Sequence, residues 1–240
     1  MANRLRTLLL STGVASTFIA VASPTHALTF NGYASGVWGT PHSTESSPQF
    51  TGVGDSLFTW GTPNISGRDS NQLAFQGSVF DTATNALFKV GELTYFNGTI
   101  RSNTGIASVP LNFEFMFDNA DVLSQVFSIN FDIVTTPNIG TPEDNADAIV
   151  PTTLISEQSF NLDGLDYTLQ LVGFSQDGGV SNTEEFRVLE EARTTASLFG
   201  RIIEVPPTVS DPSRIPEPRA IAGLGVLALA LGLGRMTRTR

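Results

Sequence analysis

Carboxylates are the side chains of this chain best supplied for chemistry. The richest local run is Glu143-Asp144-Asn145-Ala146-Asp147, with Asp118 and Asp121 upstream. Hard oxygen ligands at close spacing are what Ca²⁺ takes. Asp144 and Asp147 are therefore the candidate calcium ligands, although the spacing matches no specific calcium loop. Acidic turn residues facing water produce the same pattern. Two carboxylates would also serve glycoside hydrolysis, but 23 acidic residues offer no way of choosing a pair. Nucleophilic catalysis has less to work with: His42, in a Ser/Thr/Pro-rich stretch, is the one histidine outside the N-terminal segment, and there is no cysteine. A zinc site lacks ligands on the same count. No glycine-rich phosphate loop stands between a strand and a helix. No catalysis is expected, and no cofactor beyond such a calcium ion.

Aromatic residues offer a second kind of site. Trp38, Trp60, Tyr33, Tyr95 and Tyr167 are candidates for a sugar-stacking face, yet aromatics at strand ends more often pack a core or its rim. Trp38-Gly39-Thr40-Pro41 recurs as Trp60-Gly61-Thr62-Pro63. Nothing follows at the next interval, so the pair reads as two similar strand-to-turn exits rather than a repeat array. Asn97-Gly98-Thr99 fits a glycosylation acceptor, but Asn-Gly is also the commonest tight hairpin turn, and the turn is the preferred reading.

The elements that must position these residues are strands. In Val109–Phe117, Val109, Leu111, Phe113, Phe115 and Phe117 fall on one face, with Asn112 and Glu114 on the other. Residues 126–134 put Phe127, Ile129, Phe131 and Ile133 inward. Residues 166–172 alternate Tyr167, Leu169 and Leu171 with Asp166, Thr168 and Gln170. Weaker strands are expected near 28–37, 56–60, 72–80, 86–96, 150–155, 158–162, 184–190 and 196–204. Asp118-Asn119-Ala120-Asp121 is the expected connection between the first two strong strands. No helical period appears in the body, and Gly, Asn, Asp, Ser and Thr fill the gaps. The pattern predicts an all-β domain over residues 28–205, an antiparallel β-sandwich or jelly roll, with a barrel as the second choice.

The two ends differ from the body. Arg4 and Arg6, an apolar stretch from Leu8 to Ala22, and Pro24-Thr25-His26-Ala27 follow the order of a signal peptide cleaved after Ala27. From Pro206 to Arg214 prolines forbid helix and ladder alike and favour an extended stalk. Residues 220–234 carry no charged or polar side chain. As a helix they would be roughly 22 Å long, short of a hydrocarbon core of about 30 Å. The run is apolar all round, and Arg235, Arg238 and Arg240 follow it as a positive-inside stop. It is therefore predicted to be a transmembrane helix, with thinning of the bilayer absorbing the missing length. Between residues 28 and 218, seven basic side chains stand against 23 acidic ones. Such a surface repels nucleic acid and anionic lipid.

Pro216-Glu217-Pro218, the 220–234 run and the basic end 235–240, in that order, resemble the PEP-CTERM sorting signal of exopolysaccharide-producing bacteria. Ile215 and Arg219 depart mildly from the usual residues. The resemblance covers residues 215–240 and implies recognition by an exosortase, with cleavage near the motif and transfer to the cell surface or extracellular matrix. The body is similar to the choice-of-anchor K domain of exported proteins. That similarity rests on 37–41, 88–98, Thr136-Pro137-Asn138 with Asn145-Ala146-Asp147, 167–174 and Leu198-Phe199-Gly200. It implies an anchored surface domain with no assigned activity. The expectation is an exported surface or matrix protein, an exosortase substrate without catalysis of its own. Before processing it would sit in the inner membrane. The alternative is a carbohydrate- or calcium-binding module, with matrix polysaccharide as its partner.

Overall fold

The computed structural model describes residues 28–118 and 124–206. The expected signal peptide 1–27, all but the first residue of the 206–214 stalk, and the sorting segment 215–240 lie outside the described residues. So therefore do Pro216-Glu217-Pro218, the 220–234 run, Arg235, Arg238 and Arg240, and so does Asp121.

The described residues form thirteen strands and no helix. In chain order they are β1 Thr29–Trp38, β2 Phe50–Thr51, β3 Leu57–Trp60, β4 Asn71–Gly77, β5 Val79–Ala83, β6 Phe88–Phe96 and β7 Ser108–Phe117. Then come β8 Ser124–Val134, β9 Asp147–Pro151, β10 Ile155–Leu162, β11 Leu165–Ser175, β12 Phe186–Val188 and β13 Arg193–Glu204. One sheet runs β12-β9-β8-β7-β1-β5 and the other β10-β11-β13-β6-β4-β3-β2. Both are antiparallel throughout. They face each other across one core, an all-β arrangement consistent with a β-sandwich.

The alternation that predicted the strands also fills the core. Val109, Leu111, Phe113, Phe115 and Phe117 of β7 are all buried, as are Phe127, Ile129, Phe131 and Ile133 of β8 and Tyr167, Leu169 and Leu171 of β11. Rings from opposite sheets meet in the middle. Phe113 of β7 and Phe75 of β4 cross edge-on with centroids 5.3 Å apart, and Phe30 of β1 meets Tyr167 of β11 at 5.3 Å. The Asp118 connection joins β7 to β8, which pair as neighbours with Met116 opposite Ser124.

Three expectations change. The strand expected over 72–80 is two strands in different sheets. Ser78 is the switch: its N–H donates to Val90 O of β6 (3.1 Å) and its carbonyl accepts from Ala34 N of β1 (2.9 Å). Both sheets present inward faces of similar polarity, so alternation continues across the switch and hides it. Likewise 150–155 is the end of β9 and the start of β10, which belong to opposite sheets. Finally, Asn97-Gly98 is not a hairpin turn. Neither residue has the positive φ that a type I′ turn needs, and β6 pairs with β4 and β13 rather than with β7. The chain crosses between sheets over 97–107 instead.

Candidate functional site

Antiparallel register decides which loops meet. In the first sheet Trp38 stands opposite Leu111, Ser108 opposite Asp132, Val134 opposite Ala148, and Val188 opposite Asp147. In the second, Phe96 stands opposite Gln72 and Arg193, and Trp60 opposite Asn71. The crossover 97–107, the acidic loop 135–146, the turn 189–192 and both Trp-Gly-Thr-Pro exits therefore gather at one end. Asp118 lies at the other end of β8, about 35 Å away along an 11-residue strand, so it cannot join the acidic run it was grouped with.

The gathered loops enclose a cleft of about 270 Å³. Its floor holds Asn71 (2% exposed) and Asp147 (6% exposed), and its wall includes Ile100 and Ile106. Thr136, Asn138, Glu190, Glu45 and Arg101 line the sides. Thr136 holds Asp147, its N–H and hydroxyl both donating to Oδ1 at 2.8 and 3.1 Å. Asn71 Oδ1 accepts from Gly98 N at 2.6 Å. Glu190 Oε1 accepts from Asn138 Nδ2 at 3.3 Å. The Thr99 hydroxyl lies 2.6 Å from Glu190 Oε1 and 2.9 Å from Glu191 Oε1, so its single proton serves two carboxylates in turn.

Charge in the cleft is uneven. Burial pushes the Asp147 carboxyl above its ordinary value; the Thr136 hydrogen bonds pull it back, Glu190 repels it further, and Arg187 opposes. Beneath it Tyr95 is fully buried, and burial, then Asp147 and Glu190, push its phenol well up. Its hydroxyl donates to Asn97 Oδ1 at 3.4 Å. Glu191 is held down, first by the Thr99 N–H and then by its hydroxyl.

The two candidate calcium ligands point their oxygens at different partners. Asp144 is exposed, and its Oδ2 accepts from Thr141 N (3.1 Å) and Thr141 Oγ1 (2.9 Å), which hold its carboxyl below the usual range. Asp147 is taken by Thr136. Among the described residues no three His, Asp or Glu side chains come together as a metal-binding group. The aromatic residues do not form a stacking face. Trp38, Trp60, Tyr95 and Tyr167 are buried, and Tyr33 alone is partly exposed, on an outer sheet face. Both tryptophans do end their strands, as the echo suggested. Trp38 Nε1 donates to Ser56 O at 3.1 Å, whereas Trp60 Nε1 is buried without a partner among the described residues. His42 is an exposed residue bridging to Ser108.

Asn71, Thr136 and Glu190 went unnoticed as site residues. Polar side chains at strand ends carry no periodic signal; only the odd buried Asn opening an apolar strand marks one of them.

Asp147 has a pH signature. Its folded value is raised, so its contribution to stability is full below its ordinary value near 3.8 and is lost as pH rises through the raised value. Asp147→Asn keeps an oxygen for Thr136 and removes the buried charge. Urea midpoints of the variant should equal or exceed wild type at about pH 7, with the advantage shrinking towards about pH 4. A variant less stable than wild type at neutral pH, or an advantage that does not shrink in acid, would contradict this.

No protein-family model matches the chain, and no curated protein matches it either.

Proposed function

We propose that this chain is an exported surface or matrix protein whose β-sandwich or jelly-roll body is delivered by a C-terminal sorting signal and performs no catalysis of its own. The observation that carries the reading is where the sheets end. Val205 N donates to Asp166 O at 2.7 Å, the last backbone bond of the second sheet among the described residues, one residue before Pro206. Glu204, the last residue of β13, and this bond both stand just before the first proline of the expected stalk. A processing enzyme needs its cut site held clear of a folded domain, and a stalk of this composition provides that spacing. The signal-peptide order of residues 1–27 and the Pro-Glu-Pro, apolar, arginine order of 215–240 support export followed by exosortase processing. On this reading residues 220–234 hold the precursor in the inner membrane as a transmembrane helix until it is cut. The similarity of the body to the choice-of-anchor K domain supports the same reading.

Replacing Pro216-Glu217-Pro218 with alanines should leave the chain at full length in the inner membrane. Mass spectrometry of protein recovered from envelope and medium reads both processed ends. Unchanged maturation and location in that variant would remove the sorting reading. Release of reducing sugar from matrix polysaccharide by the purified chain would remove the non-catalytic one.

A further inference from the structure

Two buried side chains on the floor of the cleft are only half satisfied. Asn71 uses Oδ1 for the Gly98 N–H, and because that partner can only donate, the amide orientation is settled: Nδ2 faces the cavity. Among the described residues Nδ2 has no acceptor. Asp147 uses Oδ1 for both Thr136 donors, and its Oδ2 has no donor among the described residues. Both residues are more than nine-tenths buried. Neither atom is sealed from solvent, since the buried side-chain atoms without a partner among the described residues are Trp60 Nε1, Asn145 Oδ1 and Arg201 Nε. Both therefore open onto the cleft, and a donor and an acceptor without protein partners on one cleft suit a ligand carrying both functions.

We infer that this cleft binds a neutral pyranose unit, with vicinal hydroxyls accepting from Asn71 Nδ2 and donating to Asp147 Oδ2. A hydroxyl is donor and acceptor at once, and two adjacent ones satisfy the pair. Ile100 and Ile106 supply apolar wall for the C–H face of a sugar ring. The space equals about nine waters at roughly 30 Å³ each, the bulk of one pyranose rather than a chain. Three carboxylates, Asp147, Glu190 and Glu45, against one guanidinium, Arg101, disfavour an anionic sugar. The amide hydrogens of Asn71 disfavour a metal cation. This inference goes beyond the sorting reading and holds whether or not the tail is processed.

The test uses the full ¹⁵N-labelled chain in detergent, titrated with methyl β-glucopyranoside, methyl α-mannopyranoside, methyl β-galactopyranoside, sodium glucuronate and CaCl₂. At least one neutral glycoside should shift the Asn71 side-chain amide signals, with a dissociation constant of roughly millimolar order. Asn71→Asp still accepts from Gly98, so it should fold, yet weaken that glycoside about tenfold by turning the donor into an acceptor. Should it not fold, Asp147→Asn serves, because it keeps the Thr136 bonds and inverts the other atom. No response to any neutral glycoside at about 100 mM, a response to Ca²⁺ or glucuronate alone, or unchanged affinity in the folded variant would each overturn the inference.

Discussion

Gly77→Ala should cost about 4 kcal/mol or more, one of the largest losses a single methyl can cause. Gly77 is the last residue of β4, where the chain leaves one sheet for the other. A Cβ there would sit inside the backbone carbonyl of Ala34 and against Ser35 Cα. Backbone cannot rotate away as a side chain can. Relief requires pulling β1 from Ser78 and so breaking the 2.9 Å bond from Ala34 N to Ser78 O. That bond and the one from Ser78 N to Val90 O are what tie the two sheets through this strand. Gly67 is the control. Its φ is +83° and nothing lies near its missing Cβ, so Gly67→Ala should lose only about 1–2 kcal/mol of backbone strain. Urea midpoints of the two variants decide the matter. A loss under about 1 kcal/mol at Gly77 would mean that the switch has slack. With total stability of about 5–15 kcal/mol for a domain, Gly77→Val should not fold.

Phe115→Ala should cost about 3–5 kcal/mol and lower Tm by about 10 °C. Phe115 is fully buried on β7. Its ring centroid lies 5.3 Å from Phe80, 5.4 Å from Phe127 and 6.1 Å from Phe88. Those neighbours come from β5, β8 and β6, so the ring joins both sheets. Removing it leaves a cavity walled by other rings, which are too rigid to collapse into it. Val79→Ala is the contrast. Val79 is 80% exposed, and its loss should stay within about 0.5 kcal/mol. Calorimetric scans should show Phe115→Ala far below wild type and Val79→Ala beside it. A small effect at Phe115 would mean that the aromatic core repacks freely.

Strands β7 and β8 were legible because one face of each is almost wholly apolar. Val109 to Phe117 and Phe127 to Ile133 announce both their extended period and their buried side. The two Trp-Gly-Thr-Pro exits were legible as strand ends for a related reason: a bulky ring followed by glycine and proline can continue neither face nor ladder. Strand boundaries at the sheet crossings were not legible. At Ser78, and between Pro151 and Ile155, the chain changes sheet without a change in composition. Asn97-Gly98 misled because its dipeptide matches a common turn, whereas its backbone lacks the required positive φ and Asn97 Nδ2 is spent on Val188 O at 3.0 Å.

The sequence by itself determined the class of the body, the inward faces of β7, β8 and β11, and the excess of acidic charge, because these depend on residue type and period alone. It also carries the whole case for the two ends. Only the tertiary structure decided what meets what. Register carried Asp118 to the far end from Asp144, turned Asp144 onto Thr141 and Asp147 onto Thr136, and sank four candidate stacking aromatics into the core. It also brought Asn71 and Asp147, 76 positions apart in the chain, to the lining of one cleft from opposite sheets. Such a pairing depends on strand order and register, which long-range hydrogen bonds establish and no local pattern encodes.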